Sequence, residues 1–106
     1  MNKTILIGRI ANDLELKTVG DGKVVNFSIA VNKGKDEKGN SEADFFQVVA
    51  WNTTGENLIK YTKKGDLIAV EGKLQNRSYD TDNGFKRYVT EIIASNIQYL
   101  NTKKGE

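Results

Sequence analysis

The sequence predicts an all-β domain, a five-stranded Greek-key barrel with one short helix between its third and fourth strands. Three observations carry that expectation. Alternating apolar and polar runs recur along the 106 residues, only one segment between them has helical spacing, and ten glycines with no proline punctuate the chain. A chain of this length suits one domain with a modest core and no need of staples.

The first strand is expected over Lys3 to Ile10, a β-rich run with Gly8 where a bend or a close backbone approach fits. Ala11-Asn12-Asp13 interrupts it, and Leu14-Glu15-Leu16-Lys17 alternates again, as the same or a neighbouring strand turning a corner. After a turn at Gly20-Asp21-Gly22, Val25, Phe27, Ile29 and Val31 alternate with polar or small residues, which predicts a half-buried strand. Lys33 to Ser41 reads as a charged loop or long hairpin tip. Asp44 to Trp51 is the next strand. Phe45, Gln47, Val49 and Trp51 share one face, and Phe46, Val48 and Ala50 the other. Both faces are apolar, so the pattern alone also fits a strand buried on both sides.

Thr53 to Lys64 is the one helical segment, with Thr53 or Thr54 as cap, Leu58 and Tyr61 on one side and Gly65 to end it. From Gly65 to Tyr79 a period of two separates Ile68, Val70, Gly72 and Leu74, expected in the core, from a face that turns basic at Lys73 and Arg77 and ends on Tyr79. Asp80 to Gly84 is a hairpin loop with the favoured Asn-Gly pair. Arg87 to Leu100 is the last strand, burying Ile92, Ile93, Ile97 and Leu100. A helix between the third and fourth of five strands is the order of an OB-fold. The domain is expected over residues 1–100, and 101–106 as a short polar end.

Much chemistry is excluded. With no cysteine and no histidine there is no disulfide, cysteine nucleophile, His-based triad or His/Cys zinc site. Asp80 and Asp82, or Glu42 and Asp44, lie close enough to suggest a metal or an acid–base pair. However, the first pair lacks the spacing of a calcium loop, and Asp and Asn are what a hairpin turn prefers. No phosphate-binding loop is present. A binding module with no enzymatic activity, metal or cofactor is expected. The chain has no apolar run of transmembrane length and no signal-peptide pattern, and a cytoplasmic setting is compatible with the absence of cysteine. The net charge is only +2. Between Lys60 and Arg87, however, seven basic residues face four acidic ones, a local stripe that fits a phosphate backbone. Two cations and a ring in a row at Lys73, Arg77 and Tyr79 suit a nucleic-acid strand, and taken alone they suit a solvated edge strand as well.

With these pieces in order, the chain from Asn2 to Leu100 resembles the bacterial single-stranded DNA-binding protein family and its phage and plasmid relatives. The resemblance rests on Asn2-Lys-Thr-Ile-Leu-Ile-Gly-Arg-Ile10, Ala11-Asn-Asp-Leu-Glu-Leu-Lys17 (with Leu14 where proline is usual), Phe27 to Asn32, and Glu42 to Trp51. It continues through Glu56-Asn57, Tyr61 to Asp66, Val70 to Tyr79 and Arg87-Tyr-Val-Thr-Glu91. It implies sequence-independent binding of single-stranded DNA in replication, recombination and repair. Bases would stack on Phe45, Trp51 and Tyr79, so that Phe45, Gln47 and Trp51 face the DNA and Phe46, Val48 and Ala50 the core. Another aromatic position of the family is occupied here by Lys35. Arg9, Lys33, Lys35, Lys73, Arg77, Lys86 and Arg87 are the candidate phosphate contacts, with a solvated surface charge as the alternative for each. The resemblance also implies a homotetramer. Family members usually carry a tail ending in an acidic tip. This chain stops at Lys103-Lys-Gly-Glu106, so recruitment of replication proteins through such a tail is not expected. The competing readings are a primosomal-type OB adaptor working mainly through protein partners and, less well matched, a cold-shock-type RNA module.

Overall fold

A computed structural model describes residues 1–100; the polar end expected at 101–106 lies outside the described residues. Six strands and one helix follow in the order β1 (Thr4–Ile10), β2 (Lys17–Val19), β3 (Gly22–Lys35), β4 (Ser41–Trp51), α1 (Asn52–Tyr61), β5 (Leu67–Asp80) and β6 (Lys86–Tyr99). Five of them close a barrel in the order β1-β5-β6-β4-β3, and β3 returns to β1 through Arg9↔Ala30 and Ile10↔Ile29. All pairings are antiparallel except β4 with β6. This is the OB-fold arrangement. The strand count differs from five because β2, a three-residue strand, pairs with the start of β3 outside the barrel.

Closure needs a bare backbone at Gly8. A Cβ there would lie 2.3 Å from the carbonyl oxygen of Ala30, so β1 can cross β3 only at glycine. The core is the alternating set that the strand pattern marks: Ile10, Val25, Phe27, Ile29, Val48, Ala50, Ile68, Val70 and Ile92, with Leu58 of the helix covering one end. Each of these side chains other than Ala50 contributes about 1.5–3 kcal/mol by leaving water.

Several boundaries depart from expectation. Residues 11–16 form no strand, because Asn12 turns inward to accept the Ser28 N–H on its Oδ1 (2.7 Å) and the Ala11 N–H binds the Ser28 carbonyl. The helix starts at Asn52 and ends at Tyr61, without the expected threonine cap; Trp51 is the N-cap and makes no side-chain capping bond. Asn52 has φ +51°, and its Oδ1 accepts the Lys23 N–H, joining the helix start to β3. At the other end Thr62 closes the helix through its N–H on the Leu58 carbonyl. Gly65 acts later, at φ +96°, where its N–H reaches Ile10 and turns the chain into β5. Leu74 is 47 % exposed and Leu100 is also exposed, so neither enters the core. Leu74 lies where the β5–β6 pair leaves the barrel. From Lys73 to Asp80 every residue of β5 is exposed, and the pair projects as an arm closed by the loop between Asp80 and Lys86.

Candidate nucleic-acid interface

The strand register assembles one outer face from five strands, β1, β3, β4, β6 and β5. Across it run the rows Arg9–Ala30–Phe45, Ser28–Gln47–Glu91–Gln75, Asn26–Val49–Ile93–Lys73 and Val24–Trp51. Opposed residues share a face, so Phe45, Gln47, Val49 and Trp51 lie on this side, while Val48 and Ala50 are buried on the other. Phe46, expected to face the core, lies on the core side but stays partly exposed. Continuing along the arm, Arg77 sits opposite Val89 and Tyr79 opposite Arg87, again on the same face.

Three rings stand out of this face: Phe45 is 64 % exposed, Trp51 39 % and Tyr79 48 %. Phe45 and Trp51 are six residues apart on one strand, about 20 Å at ~3.3 Å per residue. The arm overhangs the sheet between them. Its Arg77 and Tyr79 line a groove whose floor includes Asn26, Gln47, Val89 and Glu91. The Gln47 amide donates to the Ser28 hydroxyl (2.8 Å), which fixes one polar group of that floor.

The candidate cations are placed unequally. Arg9, Lys73, Arg77 and Arg87 lie on the ring-bearing face by register. Arg9 donates through Nη1 to the Gly65 carbonyl at 3.0 Å, which steadies it beside the Ala30–Phe45 row. Lys73 sits at the foot of the arm, beside Asn2, Lys3 and Glu71 rather than in the groove of Arg77 and Tyr79. Arg77 is ion-paired through Nε to Glu91 at 2.9 Å. Lys33 and Lys86 turn the other way. Lys86 opposes Asp80, one step out of phase with Arg87, and Lys33 pairs at 3.4 Å with Asp44, which alternation directs away from Phe45.

Lys35 reaches the ring-bearing face through a bulge. The β3–β4 register slips between Asn32 and Gly34, leaving Lys33 as the extra residue. Uninterrupted alternation from Ala30 would turn Lys35 to the reverse side. After the slip it opposes Ser41, on the same side as Phe45 and four residues farther along β4, about 13 Å at ~3.3 Å per residue. The turn beside it is fixed by Asp36, whose Oδ1 accepts the Lys38 and Asn40 backbone N–H groups, both at 2.9 Å. The Asn40 N–H chiefly, with help from Lys38, holds the Asp36 carboxyl below the ordinary aspartate range.

Sequence reasoning passed over three features of this region. Glu91 is a buried carboxylate on the ring-bearing face, signalled only as a lone acid between Val89 and Ile93. Phe85 and Tyr88, at and near the tip of the arm, are more exposed than any of the three expected stacking rings. Rings set among cations on an open face suit a ligand with flat π-surfaces and regularly spaced negative charge. Among the described residues no group of acids could hold a metal ion, and no helix is long and apolar enough to cross a membrane.

The chain is similar to known proteins in both sequence and fold. Residues 1–100 match the model of the family described as "Single-strand binding protein family". Single-stranded DNA-binding protein 3 of Clostridium acetobutylicum is 46 % identical over 102 residues, covering 94 % of this chain and 71 % of that protein. Single-stranded DNA-binding protein 1 of the same organism is 43 % identical over 108 residues, covering 98 % of this chain and 97 % of that protein. Among solved structures, the Plasmodium falciparum SSB complex with ssDNA superposes with a TM-score of 0.81 at 33 % identity, over 95 % of this chain and 96 % of that one.

Proposed function

Since the chain belongs to the single-strand binding protein family, we propose that it binds single-stranded DNA without regard to sequence and shields it during replication, recombination and repair. The observation that carries this reading is the single face bearing Phe45, Trp51 and Tyr79 with Arg9, Lys35, Lys73, Arg77 and Arg87 among them. Bases stack on the rings, at about 1–3 kcal/mol each, and any base offers the same π-face. The cations neutralise phosphates and release counterions, so affinity falls steeply with salt. A duplex keeps its bases stacked inside and offers the rings nothing. Binding is the whole activity, with no bond made or broken.

The protein works as a homotetramer in the cytoplasm of a bacterial cell, or of the bacterial host of a phage or plasmid. Self-association is supported by β1, which pairs with β5 along Thr4 to Arg9 but with β3 only at Arg9 and Ile10. Its second edge is therefore open over most of its length, and Ile5 and Ile7 stand exposed on its outer side. An open edge with an apolar face needs a cover.

Anisotropy of a labelled oligothymidine, titrated at low and high salt with duplex DNA and RNA as competitors, tests the binding. Tight, salt-sensitive binding that duplex does not displace is expected. Weak binding at low salt refutes this reading in favour of an adaptor acting through protein partners. Mass photometry of the free protein is expected to find four times the 11.8 kDa chain mass.

A further inference from the structure

Glu91 sits awkwardly for a DNA-binding protein. It projects from β6 onto the ring-bearing face, in the row Ser28–Gln47–Glu91–Gln75, with its side chain only 7 % exposed. A carboxylate beneath a polyanion repels it, and burying that carboxylate adds a desolvation cost. As a surface charge it would oppose the protein's proposed task.

Its partner accounts for the position. Register places Arg77 opposite Val89, so Glu91 is the diagonal neighbour, within reach of the inner end of the guanidinium. The Arg77 Nε–H donates to Glu91 Oε1 at 2.9 Å. Of the five N–H donors of arginine this engages one, and the four on the two Nη atoms have no protein partner among the described residues. Arg77 itself remains 54 % exposed. The guanidinium is thus tethered at its inner edge, with its outer fork open beside Tyr79 on the same groove. Gln47, the neighbour of Glu91 in its row, makes no hydrogen bond to the carboxylate among the described residues and gives one of its two amide N–H groups to Ser28. Lys35, Lys73 and Arg87 have no such anchor among the described residues.

We infer that Glu91 is a positioning residue: it holds Arg77 in advance so that the outer fork meets the phosphate next to the base stacked on Tyr79. This rests on the proposed reading of the face as a single-strand site. Fixing a long side chain before binding removes an ordering cost from the binding step, and a planar fork matched to phosphate gains most from being fixed.

The test is a double-mutant cycle on oligothymidine affinity with wild type, Glu91→Gln, Arg77→Ala and the double variant. Thermal melts confirm that each is folded, and the near-isosteric Gln avoids opening a cavity. Glu91→Gln removes a negative charge from the site, so a carboxylate without a positioning role predicts tighter binding, most of all at low salt. Positioning predicts the opposite sign: Glu91→Gln weakens binding about threefold to tenfold, and the loss disappears once Arg77 is Ala. Unchanged or tighter binding by Glu91→Gln, or an equal loss in the Arg77→Ala background, overturns the inference. The wild-type titration separates the two levels. Binding by wild type with Glu91→Gln unaffected refutes positioning alone, and no binding by wild type refutes the single-strand site together with it.

Discussion

Trp51→Ala is the most direct perturbation of the proposed interface. Trp51 ends β4 and stands against Gly22, where a Cβ would lie 3.4 Å and 3.6 Å from its Cζ3 and Cε3 atoms. One side of the ring is therefore braced by the β3 backbone while the rest is open, which leaves room for one base. Losing one stack costs about 1–3 kcal/mol, a roughly 5- to 150-fold weaker Kd for oligothymidine. The ring lies outside the core cluster, so a much smaller fall in Tm is expected than for truncating Phe27 or Leu58. Trp51→Phe keeps a smaller ring and is expected to fall between wild type and Ala. Trp51 is also the only tryptophan, so its emission reports this one position. Binding by Trp51→Ala within twofold of wild type, or unchanged tryptophan emission at saturation, refutes the stacking assignment.

Arg87→Ala is expected to reduce the slope of log K against log salt by about 0.7, the share of one phosphate on a single strand, while Lys86→Ala leaves it nearly unchanged because Lys86 faces the reverse of the arm. Equal effects from the two would show that the strand contacts both sides. Gly8→Ala forces a Cβ to within 2.3 Å of the Ala30 oxygen at the barrel seam. The expected loss is about 1–3 kcal/mol, a Tm lower by at least about 4 °C, and an unchanged melt would mean the seam is loose. The Asp36 carboxyl is expected to titrate below an ordinary aspartate in an NMR pH series, because its charged form accepts the Asn40 and Lys38 N–H groups. A folded-state pKa below the unfolded one means the turn is supported above the ordinary aspartate pKa and loses that support as pH falls through the lowered value. An ordinary midpoint would contradict the turn geometry.

The core and the barrel order could be read because burial at Val25, Phe27 and Ile29 depends only on a period of two. The site was less legible, for reasons of register. Whether Phe45 or Phe46 faced outward was undecided by pattern and needed the pairing of β4 with β3 and β6. The side taken by Lys35 depends on one bulged residue, to which alternation counting is blind. Leu74 misled because the pattern of an arm leaving the barrel continues that of the strand inside it. The bond between Arg77 and Glu91 joins residues fourteen apart through a hairpin diagonal, and no local spacing rule marks it.

The seam that joins the first strand to the rest also sets a schedule for the chain's birth. β1 takes nearly all its partners from Leu67 to Gly72, and Asn2 exchanges hydrogen bonds with Leu74. At about 5–20 residues per second on a ribosome, Thr4 waits about 3–14 s for residue 72 to be made. Through that interval Ile5 and Ile7 have no partner strand, since β3 pairs β1 only at Arg9 and Ile10. A nascent chain halted after β4 has β2, β3 and β4 paired in a row and lacks the β5 and β6 that close the barrel. β1 is thus made before every other strand of the barrel and is among the last to be secured, so it stays open to a protease or chaperone until β5 is made.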